Sequence, residues 1–432
     1  TISGTGLTRM AVFTPTNNQG SGTASITVAD SSYTDVAGNL GTAGTTPAIT
    51  FHTLASTVGS IALSSAAGSQ NNTLNAGDTL SVTATFSDVV TLNTNGGSPT
   101  LALEVGGSTV QATYVSGSGT NALVFSTTIL NGQTDTDGVA IPLNALTLNG
   151  ATLKDANGNA SSILSSAVAS NASYLVDTTA PSVVISSNVS TLTSGTTANI
   201  TFTFTEDPGA SFAWDGSSGD VVVTGGTLST LSGTGLTRTA VFTPATNQGS
   251  GAASITVPSN SYQDAAGNNG STASFTTLTL DTQAPSVSSL ALTSTTGAVA
   301  SPSDATVKLL NANDTLSASV IFTEAVTLVT SAGSPTLALL IGNGTVLATY
   351  VSGSGTNTLL FRTTIVSGQT DVDGVAIALN ALTLNGATLK DAAGNSATIT
   401  HALVADNAGY LVDNTAPTLI ITSDMSALRS EE

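Results

Sequence analysis

The chain has 432 residues, too many for one compact domain and enough for roughly three or four. Lys and Arg total 7 against 26 Asp and Glu, giving a formal net charge of −19, which disfavours nucleic acid and anionic membrane surfaces as partners and suits cations. The absence of cysteine excludes disulfides and thiolate metal sites. No apolar run reaches the roughly 18 residues of a membrane-spanning helix, so no membrane insertion is predicted.

Two internal repeats of different length organise the chain. Residues 133–158 and 369–394 differ at only three positions, at an offset of 236 residues. Residues 3–15 and 232–244 share the phrases SGTGLTR and AVFTP at an offset of 229 residues. Because such self-similarity is the signature of repeat architectures, we predict that a shorter and a longer unit alternate along the chain.

In chain order, the repeats predict five segments. Residues 1–52 are a partial shorter unit that lacks its N-terminal strands, and residues 53–177 are a longer unit. Residues 178–281 form a complete shorter unit and residues 282–413 a second longer one. Residues 414–432 align with the first strand of a further shorter unit. We expect the sequence to be a window from a longer array, with its true N-terminus further upstream.

Within the units, the hydrophobic pattern has a period of two. Apolar side chains alternate with Thr, Ser and Asn in segments separated by Gly/Asn/Asp turns, which predicts antiparallel strands with one solvated face. No segment shows a helical stripe. Short strands in units of this length predict an all-β chain of tandem immunoglobulin-like β-sandwich domains. Two predicted inward-facing sets are Leu80, Val82, Ala84 and Phe86, and Ile200, Phe202 and Phe204.

Acidic residues recur in three phrases. An aspartate precedes an Ala-Pro pair in the linkers, at Asp177, Asp281 and Asp413. A Phe-Ser/Thr-acid phrase, predicted to end an early strand, supplies Asp88, Glu206 (followed by Asp207) and Glu324. An Asp-x-x-Gly-Asn phrase, predicted to form the turn before the last strands, supplies Asp35, Asp155 with Asn159, Asp264 with Asn268, and Asp391 with Asn395.

These phrases are expected to meet at the domain junctions. In an immunoglobulin-like sandwich, the start of the first strand shares a pole with the B–C and F–G loops, so Asp177, Glu206 and Asp264 could converge there. Like charges cluster at low cost only if a cation neutralises them, and carboxylate, amide and carbonyl oxygens suit Ca²⁺. The Ala-Pro pair would hold the linker extended. The alternative is that each Asp-x-x-Gly-Asn phrase is an ordinary turn.

One junction departs from this pattern. At the offset of 229 residues, His52 occupies the position of Asp281, and Ser56 that of Pro285. Asp88, Asp155 and Asn159 are still present at this junction. We therefore expect a weaker or remodelled calcium site there, and a joint that bends more easily.

The longer units carry a further acidic phrase. It reads Asp135-Thr-Asp137-Gly in one copy and Asp371-Val-Asp373-Gly in the other. The phrase resembles the start of a calcium loop, but no downstream Glu completes the EF-hand pattern. A second calcium site and a plain acidic turn both remain open at this stage.

Together, these phrases resemble a known family. DTTAP, FTEDPGASFAWDGSSGDVVVTGG, FTPATNQGSGAASITV and DAAGN are similar to the tandem immunoglobulin-like repeats of large bacterial surface adhesins of the biofilm-associated and RTX types. The resemblance implies an extended extracellular array that holds a terminal binding domain away from the cell, with calcium stiffening its junctions. His52 departs from the family pattern. The matching positions are Asp177, Glu206 and Asp264, and Asp281, Glu324 and Asp391.

The leading functional hypothesis is a structural extender of a secreted or cell-surface adhesin, whose partners are calcium ions and neighbouring repeats. The alternative is a subunit of a self-assembling extracellular filament or surface layer, whose partners would be other copies of the chain. An enzyme is disfavoured and no catalytic residue is predicted, because neither His52 nor His401 is repeated and no Gly-x-Ser-x-Gly elbow occurs. Trp214 is expected to pack beneath a loop rather than to bind carbohydrate.

Overall fold

A computed structural model describes residues 1–422, which form β-strands joined by turns and a single 3-10 turn at Gly209–Ser211. Three hydrophobic cores lie along the chain, within residues 61–176, 183–280 and 292–412. None of the helical structure in the described part of the chain has the length and hydrophobicity needed to cross a membrane. The prediction of an all-β chain of tandem immunoglobulin-like sandwiches is confirmed.

The first segment consists of three short antiparallel strand pairs, β1 with β2, β3 with β6, and β4 with β5. Every residue from 1 to 55 is exposed or half-buried, so this segment has no core of its own. The strands are β1 (Ile2–Ser3), β2 (Met10–Ala11), β3 (Ser21–Ala24), β4 (Thr27–Val28), β5 (Gly44–Thr45) and β6 (Ile49–His52).

The first longer unit contains a seven-stranded sheet in the order β14-β10-β11-β12-β9-β15, with β7 also paired to β9. A three-stranded sheet in the order β13-β16-β8 lies beside it, and β16 runs parallel to β8. The strands are β7 (Val58–Ala67), β8 (Thr73–Leu74), β9 (Thr79–Asn93), β10 (Thr100–Val105), β11 (Ser108–Ser116), β12 (Thr120–Thr128), β13 (Thr134–Asp135), β14 (Leu146–Thr147), β15 (Thr152–Asp155) and β16 (Leu175–Asp177).

The complete shorter unit is a sandwich of two four-stranded sheets, in the orders β17-β19-β22-β21 and β18-β24-β23-β20. Its last strand, β24, runs parallel to β18. The strands are β17 (Val183–Ser187), β18 (Thr191–Thr193), β19 (Ala198–Phe204), β20 (Val222–Thr224), β21 (Gly226–Leu228), β22 (Thr237–Pro244), β23 (Gly251–Val257) and β24 (Ala273–Asp281).

The second longer unit repeats the plan of the first. An eight-stranded sheet has the order β25-β28-β31-β30-β29-β32-β34 with β33 also paired to β28, and a three-stranded sheet has the order β26-β27-β35. The strands are β25 (Val287–Thr296), β26 (Val299–Ala300), β27 (Lys308–Leu310), β28 (Thr315–Val329), β29 (Thr336–Ile341), β30 (Gly344–Ser352), β31 (Thr356–Thr364), β32 (Val375–Thr383), β33 (Thr388–Lys390), β34 (Val404–Asn407) and β35 (Tyr410–Val412).

The predicted inward faces form the centres of these cores. Alternate residues of β9 and β19 are buried while the Thr and Asn residues between them are half-buried or exposed, as a period of two requires. The buried residues are Leu80, Val82, Ala84, Phe86, Ile200, Phe202 and Phe204. The pattern therefore identified the core-facing side chains of both strands.

The prediction that the Phe-x-acid phrase ends a strand is right only in the shorter unit, where β19 ends at Phe204. In the longer units Asp88 lies inside β9 and Glu324 inside β28. Each of these strands continues because it exchanges one neighbour for another: β9 pairs with β7 as far as Phe86 and with β15 from Val90. The acid therefore sits at an irregularity within a continuous strand.

The predicted strand of a further unit, in residues 414–432, falls partly outside the described residues. No strand is assigned in residues 413–422, and Leu419, Ile420 and Ile421 are exposed. The remainder of that prediction, residues 423–432, lies beyond the part of the chain that the structure describes.

Candidate metal sites at the domain junctions

The junction that follows the first longer unit brings three carboxylates together. Asp177 ends β16, Glu206 follows β19 by two residues, and Asp264 lies in the turn between β23 and β24. One carboxylate oxygen from each lies within 4.8 Å of the others. One ligand thus comes from the linker and two come from the following domain.

The next junction repeats the arrangement with the equivalent residues. Asp281 ends β24, Glu324 lies within β28, and Asp391 follows β33. Their oxygens also lie within 4.8 Å of one another. Both clusters contain the residues that the sequence predicted to converge, and metal binding by them stays a prediction.

Hydrogen bonds hold the turn aspartate of the first cluster in place. Oδ1 of Asp264 accepts from the backbone N–H groups of Ala266 and Asn268, both at 2.9 Å, and Oδ2 accepts from the Asn268 side-chain amide at 2.9 Å. The same amide donates to the backbone carbonyl of Asp177 at 3.0 Å. Asn268 therefore connects the turn to the linker, and its amide nitrogen is engaged in these bonds.

Asn395 has the equivalent role at the next junction. Its side-chain amide donates to Oδ2 of Asp391 at 2.8 Å and to the backbone carbonyl of Asp281 at 3.0 Å. Oδ1 of Asp391 accepts from the backbone N–H groups of Gly394 and Asn395 at 2.6 and 2.8 Å. The Asp-x-x-Gly-Asn phrase is therefore a hydrogen-bonded turn, as the alternative interpretation of the sequence predicted. The same turn also carries one acid of the cluster.

The crowding of like charges is visible in the glutamates. Partial burial, together with the neighbouring Asp177 and Asp264, raises the pKa of Glu206 above its ordinary value. Partial burial, Asp391 and Asp281 raise the pKa of Glu324 in the same way. Both causes disfavour the charged form, so a cation at either cluster would relieve an existing electrostatic cost.

The linker aspartates also organise the chain that follows them. Oδ1 of Asp177 accepts the backbone N–H of Thr179 at 2.9 Å, and Oδ1 of Asp413 accepts that of Thr415 at 2.8 Å. Oδ1 of Asp281 accepts that of Gln283 at 3.3 Å. Each aspartate thus closes a short turn with one oxygen. Its second oxygen accepts no hydrogen bond from residues 1–422 and is a candidate metal ligand.

The structure places some predicted ligands outside the two clusters. Asp207 forms an ion pair with Arg238 at 3.3 Å and accepts the backbone N–H of Gly209 at 2.9 Å. Asp35 lies in an exposed turn, where hydrogen bonds from Asn39 lower its pKa. Only the fold could reveal the partner of Asp207, because Arg238 is 31 residues away in the sequence.

The first junction, between residues 1–52 and the first longer unit, preserves the Asp-x-x-Gly-Asn turn but not the three-carboxylate cluster. Asn159 donates to the backbone carbonyl of His52 at 3.2 Å and to Oδ2 of Asp155 at 2.9 Å, as its equivalents do elsewhere. Burial alone would raise the pKa of Asp155, but hydrogen bonds from Asn159 and Asn157 and the nearby His52 lower it. Asp88 accepts from the Ser87 hydroxyl at 2.9 Å. Within residues 1–422, His52, Asp88 and Asp155 do not form a cluster of three side chains with their possible metal-ligating atoms close together.

The Asp-x-Asp-Gly phrase of the longer units is a buried turn. Asp135 is only 3% exposed, and its Oδ1 and Oδ2 accept the N–H groups of Gly138 and Gly106, both at 2.8 Å. Asp371 is also 3% exposed and binds Gly374 and Gly342 at the same distances. Because both oxygens of each carboxylate accept backbone amides, the geometry favours the structural turn over a second calcium site.

Trp214 packs in the shorter unit, as expected. Its side chain contacts the core of that unit, and its indole N–H donates to the carbonyl of Leu228 at 3.3 Å. Both ring nitrogens of His401 are hydrogen bonded to backbone groups, Nε2 to the N–H of Ala381 at 2.9 Å. These contacts give both side chains structural roles.

Antiparallel sandwiches that repeat along the chain, with acids at matched junctions, define a tandem immunoglobulin-like β-sandwich protein. Residues 177–280, which comprise Asp177 and the shorter unit without its last residue, match the family described as Bacterial Ig-like domain. No curated protein matches the chain.

Two solved structures align with the chain at low identity. A crystal structure of the I9–I11 tandem from titin shares 10% identity, with a TM-score of 0.24 over 82% of this chain and 100% of that chain. A cryo-EM reconstruction of E. coli alpha-2-macroglobulin in its native conformation shares 9% identity, with a TM-score of 0.15 over 88% of this chain and 26% of that chain.

Proposed function

We propose that this chain is a structural segment of a secreted or cell-surface bacterial protein, in which calcium ions at the junctions hold tandem immunoglobulin-like domains in a fixed relation. The observation that carries the proposal is the recurrence of the three-carboxylate cluster at two successive junctions, with equivalent residues in both. In each cluster one ligand belongs to the linker and two to the following domain. A bound ion would therefore restrain the joint itself.

The donor set favours calcium. Asp177, Glu206 and Asp264 offer hard oxygen atoms, and so do Asp281, Glu324 and Asp391, while no thiolate or imidazole lies in either cluster. Ca²⁺ accepts six to eight oxygen ligands in flexible geometry, whereas Mg²⁺ demands a near-ideal octahedron and retains waters. Backbone carbonyls and water would complete the coordination. Burial, followed by the neighbouring aspartates, raises the pKa of Glu206 and Glu324, and a bound ion would offset both effects by favouring the charged form.

Repetition supports a scaffold rather than a catalyst. The same acids occur at more than one junction, whereas a catalytic cleft requires one particular constellation. Bacterial Ig-like domains are typical of structural repeat proteins outside the cell or at its surface, and residues 177–280 match that family. The net charge of −19 and the small number of Lys and Arg residues are compatible with that environment. An extender of a surface adhesin is the specific role that we propose.

The test is to compare thermal unfolding and small-angle X-ray scattering of the chain in millimolar calcium and in excess chelator. Calcium should raise the unfolding temperature and yield a longer, stiffer particle, and the double variant Glu206→Gln/Glu324→Gln should lose both responses. Glu104→Gln, which removes one exposed acid away from the junctions, is the matched control. If neither the unfolding temperature nor the scattering of the wild-type chain differs between calcium and chelator, the calcium role is refuted.

A further inference from the structure

The second junction, which holds Asp177, Glu206 and Asp264, contains a contact that involves no carboxylate, and the third junction, which holds Asp281, Glu324 and Asp391, serves as the comparison. The side-chain amide of Asn71 donates to the backbone carbonyl of Ala265 at 2.8 Å. Asn71 lies in residues 70–75 of the first longer unit, a segment that comprises a turn and β8 and is called the 70–75 loop below. The side-chain amide of Asn75 donates to the carbonyl of Ala266 at 3.0 Å. Both acceptors lie in the turn of residues 264–268 of the following domain. One domain thus covers the turn that carries a cluster acid of the next.

Burial shows that this contact is particular to the second junction. The Asp-x-x-Gly-Asn turn occurs four times, and its third residue is only 3% exposed at Ala266. At the other two junctions the equivalent residues are Asn157, which is exposed, and Ala393, which is half-buried. Since these three turns share one sequence pattern, the contact with the preceding domain accounts for the difference.

The turn glycine gives the same result independently. A Cβ at Gly267 would clash with Nε2 of Gln70, whereas one at the equivalent Gly158 or Gly394 would have no heavy atom within 4 Å. Gln70 therefore packs directly against the turn backbone. Together with Asn71 and Asn75, it forms a surface that fits the turn of residues 264–268.

The third junction uses a different contact. There the backbone N–H of Ser194, in the shorter unit, donates to Oδ1 of Asn395 at 2.8 Å. The longer unit supplies three side chains at the second junction, whereas this hydrogen bond uses a backbone donor. The two junctions therefore share the acid cluster but differ in the surface that surrounds it.

The 70–75 loop is itself firmly held. Gln70 and Thr73 exchange backbone hydrogen bonds at 2.9 and 2.8 Å, and the backbone N–H of Asn75 donates to Oδ2 of Asp78 at 2.9 Å. Its side chains are therefore presented from a defined backbone, which lowers the entropy lost when they contact the next domain.

We infer that the 70–75 loop and the 264–268 turn form a metal-independent interface, which fixes the orientation of the first longer unit against the shorter unit and positions Asp264 before calcium binds. Its donors are neutral amides and its acceptors are backbone carbonyls, so a chelator leaves it intact. The inference deepens the proposed function and rests on it only for the positioning of Asp264. The orientation can be measured without calcium.

The first experiment measures that orientation in excess chelator. Because the chain contains no cysteine, Ser116→Cys and Val241→Cys provide two exposed labelling sites on either side of the junction. Pulsed electron spin resonance then gives the distance distribution between two nitroxide labels. Asn71→Gly/Asn75→Ala should broaden this distribution. Glycine is chosen at position 71 because Asn71 has a φ of 50°, which glycine adopts freely.

A matched control is available in the second longer unit. Asn311 is the equivalent of Asn75, and its backbone N–H also donates to an aspartate, Asp314, at 2.8 Å. Asn311→Ala should leave the distance distribution unchanged. A double variant that remains folded, as judged by circular dichroism and an unchanged number of unfolding transitions, and whose distribution equals that of the wild type would overturn the interface.

The second experiment measures calcium affinity by titration calorimetry. Loss of two neutral hydrogen bonds that preorder the turn should weaken binding at the second junction roughly tenfold and leave the third junction unchanged. An unaltered affinity in a variant with a broadened distribution would overturn the positioning of Asp264. If the wild-type chain bound no calcium, the proposed function would fail, while the measurement in chelator would still decide the interface.

Discussion

The side-chain amide of Asn268 bonds to the backbone carbonyl of Asp177, 91 residues earlier in the chain, at 3.0 Å. The same amide holds the carboxylate of Asp264 at 2.9 Å. One side chain therefore joins the linker to the turn that bears an acid of the cluster. The junction is partly ordered by neutral hydrogen bonds before any ion is considered.

Replacing Asn268 should weaken the shorter unit and its joint. Asn268→Ala removes the bonds to Asp177 and Asp264, and we expect a loss of about 1–2 kcal/mol in unfolding free energy. Trp214 is the only tryptophan of the chain and lies in this unit, so its fluorescence during urea unfolding reports on this unit alone. Asn39→Ala, which removes the equivalent bond to Asp35 in the first segment, should leave that transition unchanged.

The stability of the shorter unit should depend on pH in a way that calcium alters. The raised pKa of Glu206 means that the folded unit binds more protons than the unfolded chain just above the ordinary value of 4.5. In chelator, stability should therefore rise as the pH falls through that window. The unfolding temperature, followed by Trp214 fluorescence, measures this dependence.

Glu206→Gln is the comparison that isolates this effect. Burial raises the pKa of Asp220 as well, so part of the dependence will persist in the variant. In chelator, the difference in unfolding temperature between the wild type and Glu206→Gln should vanish below this pH window and grow above it. The variant should be the more stable of the two. Saturating calcium, which favours the charged form, should reverse the order. Identical pH profiles would contradict the repulsion at the cluster.

The first junction should gain a calcium site through one substitution. His52 occupies the linker position, and Asn159 donates to its carbonyl at 3.2 Å, as Asn268 and Asn395 do at their junctions. His52→Asp would add the missing carboxylate beside Asp155. Calorimetry should then show one more calcium ion per chain than in the wild type. An unchanged stoichiometry would mean that Asp88, whose side chain is one methylene shorter than that of the equivalent Glu324, does not reach the other acids.

The buried aspartates of the longer units should matter equally with and without calcium. Asp135→Asn replaces an acceptor by a donor facing a backbone N–H, and we expect a loss of about 1–3 kcal/mol. Differential scanning calorimetry in calcium and in chelator should show the same decrease. Asp137→Asn, which alters only an exposed contact with Ser170, is the control. A decrease confined to calcium buffer would instead indicate a second calcium site.

The alternation of side chains and the repeats made much of this structure predictable. Ile200, Phe202 and Phe204 are buried because a strand turns alternate side chains to one face, and the sequence displays that period directly. The meeting of Asp177 with Glu206 and Asp264 followed from the shared pole of the sandwich and from the recurrence of all three phrases. Local pattern and topology were sufficient for these features.

Other features depend on contacts that no local pattern encodes. Asp207 was predicted to join the cluster, but Arg238 on β22 pairs with it. The continuation of β9 through Asp88 depends on an exchange of neighbouring strands, which the alternating pattern of one strand cannot reveal. Asn71 and Asn75 gave no signal because their partners lie 194 and 191 residues away. Asn71 has no counterpart in the second longer unit, where Val307 stands, and the counterpart of Asn75, Asn311, belongs to a phrase that carries no acid of the predicted clusters.

The parallel pairing of the last strand with an early strand has a mechanical consequence. In each complete unit the strand that leads into the linker lies beside a strand near the start of the same unit: β16 beside β8, β24 beside β18, and β35 beside β27. Tension applied along the chain would pull such paired strands past each other, so their hydrogen bonds would resist together rather than open one at a time. Each domain is thus built to withstand stretching from its two ends.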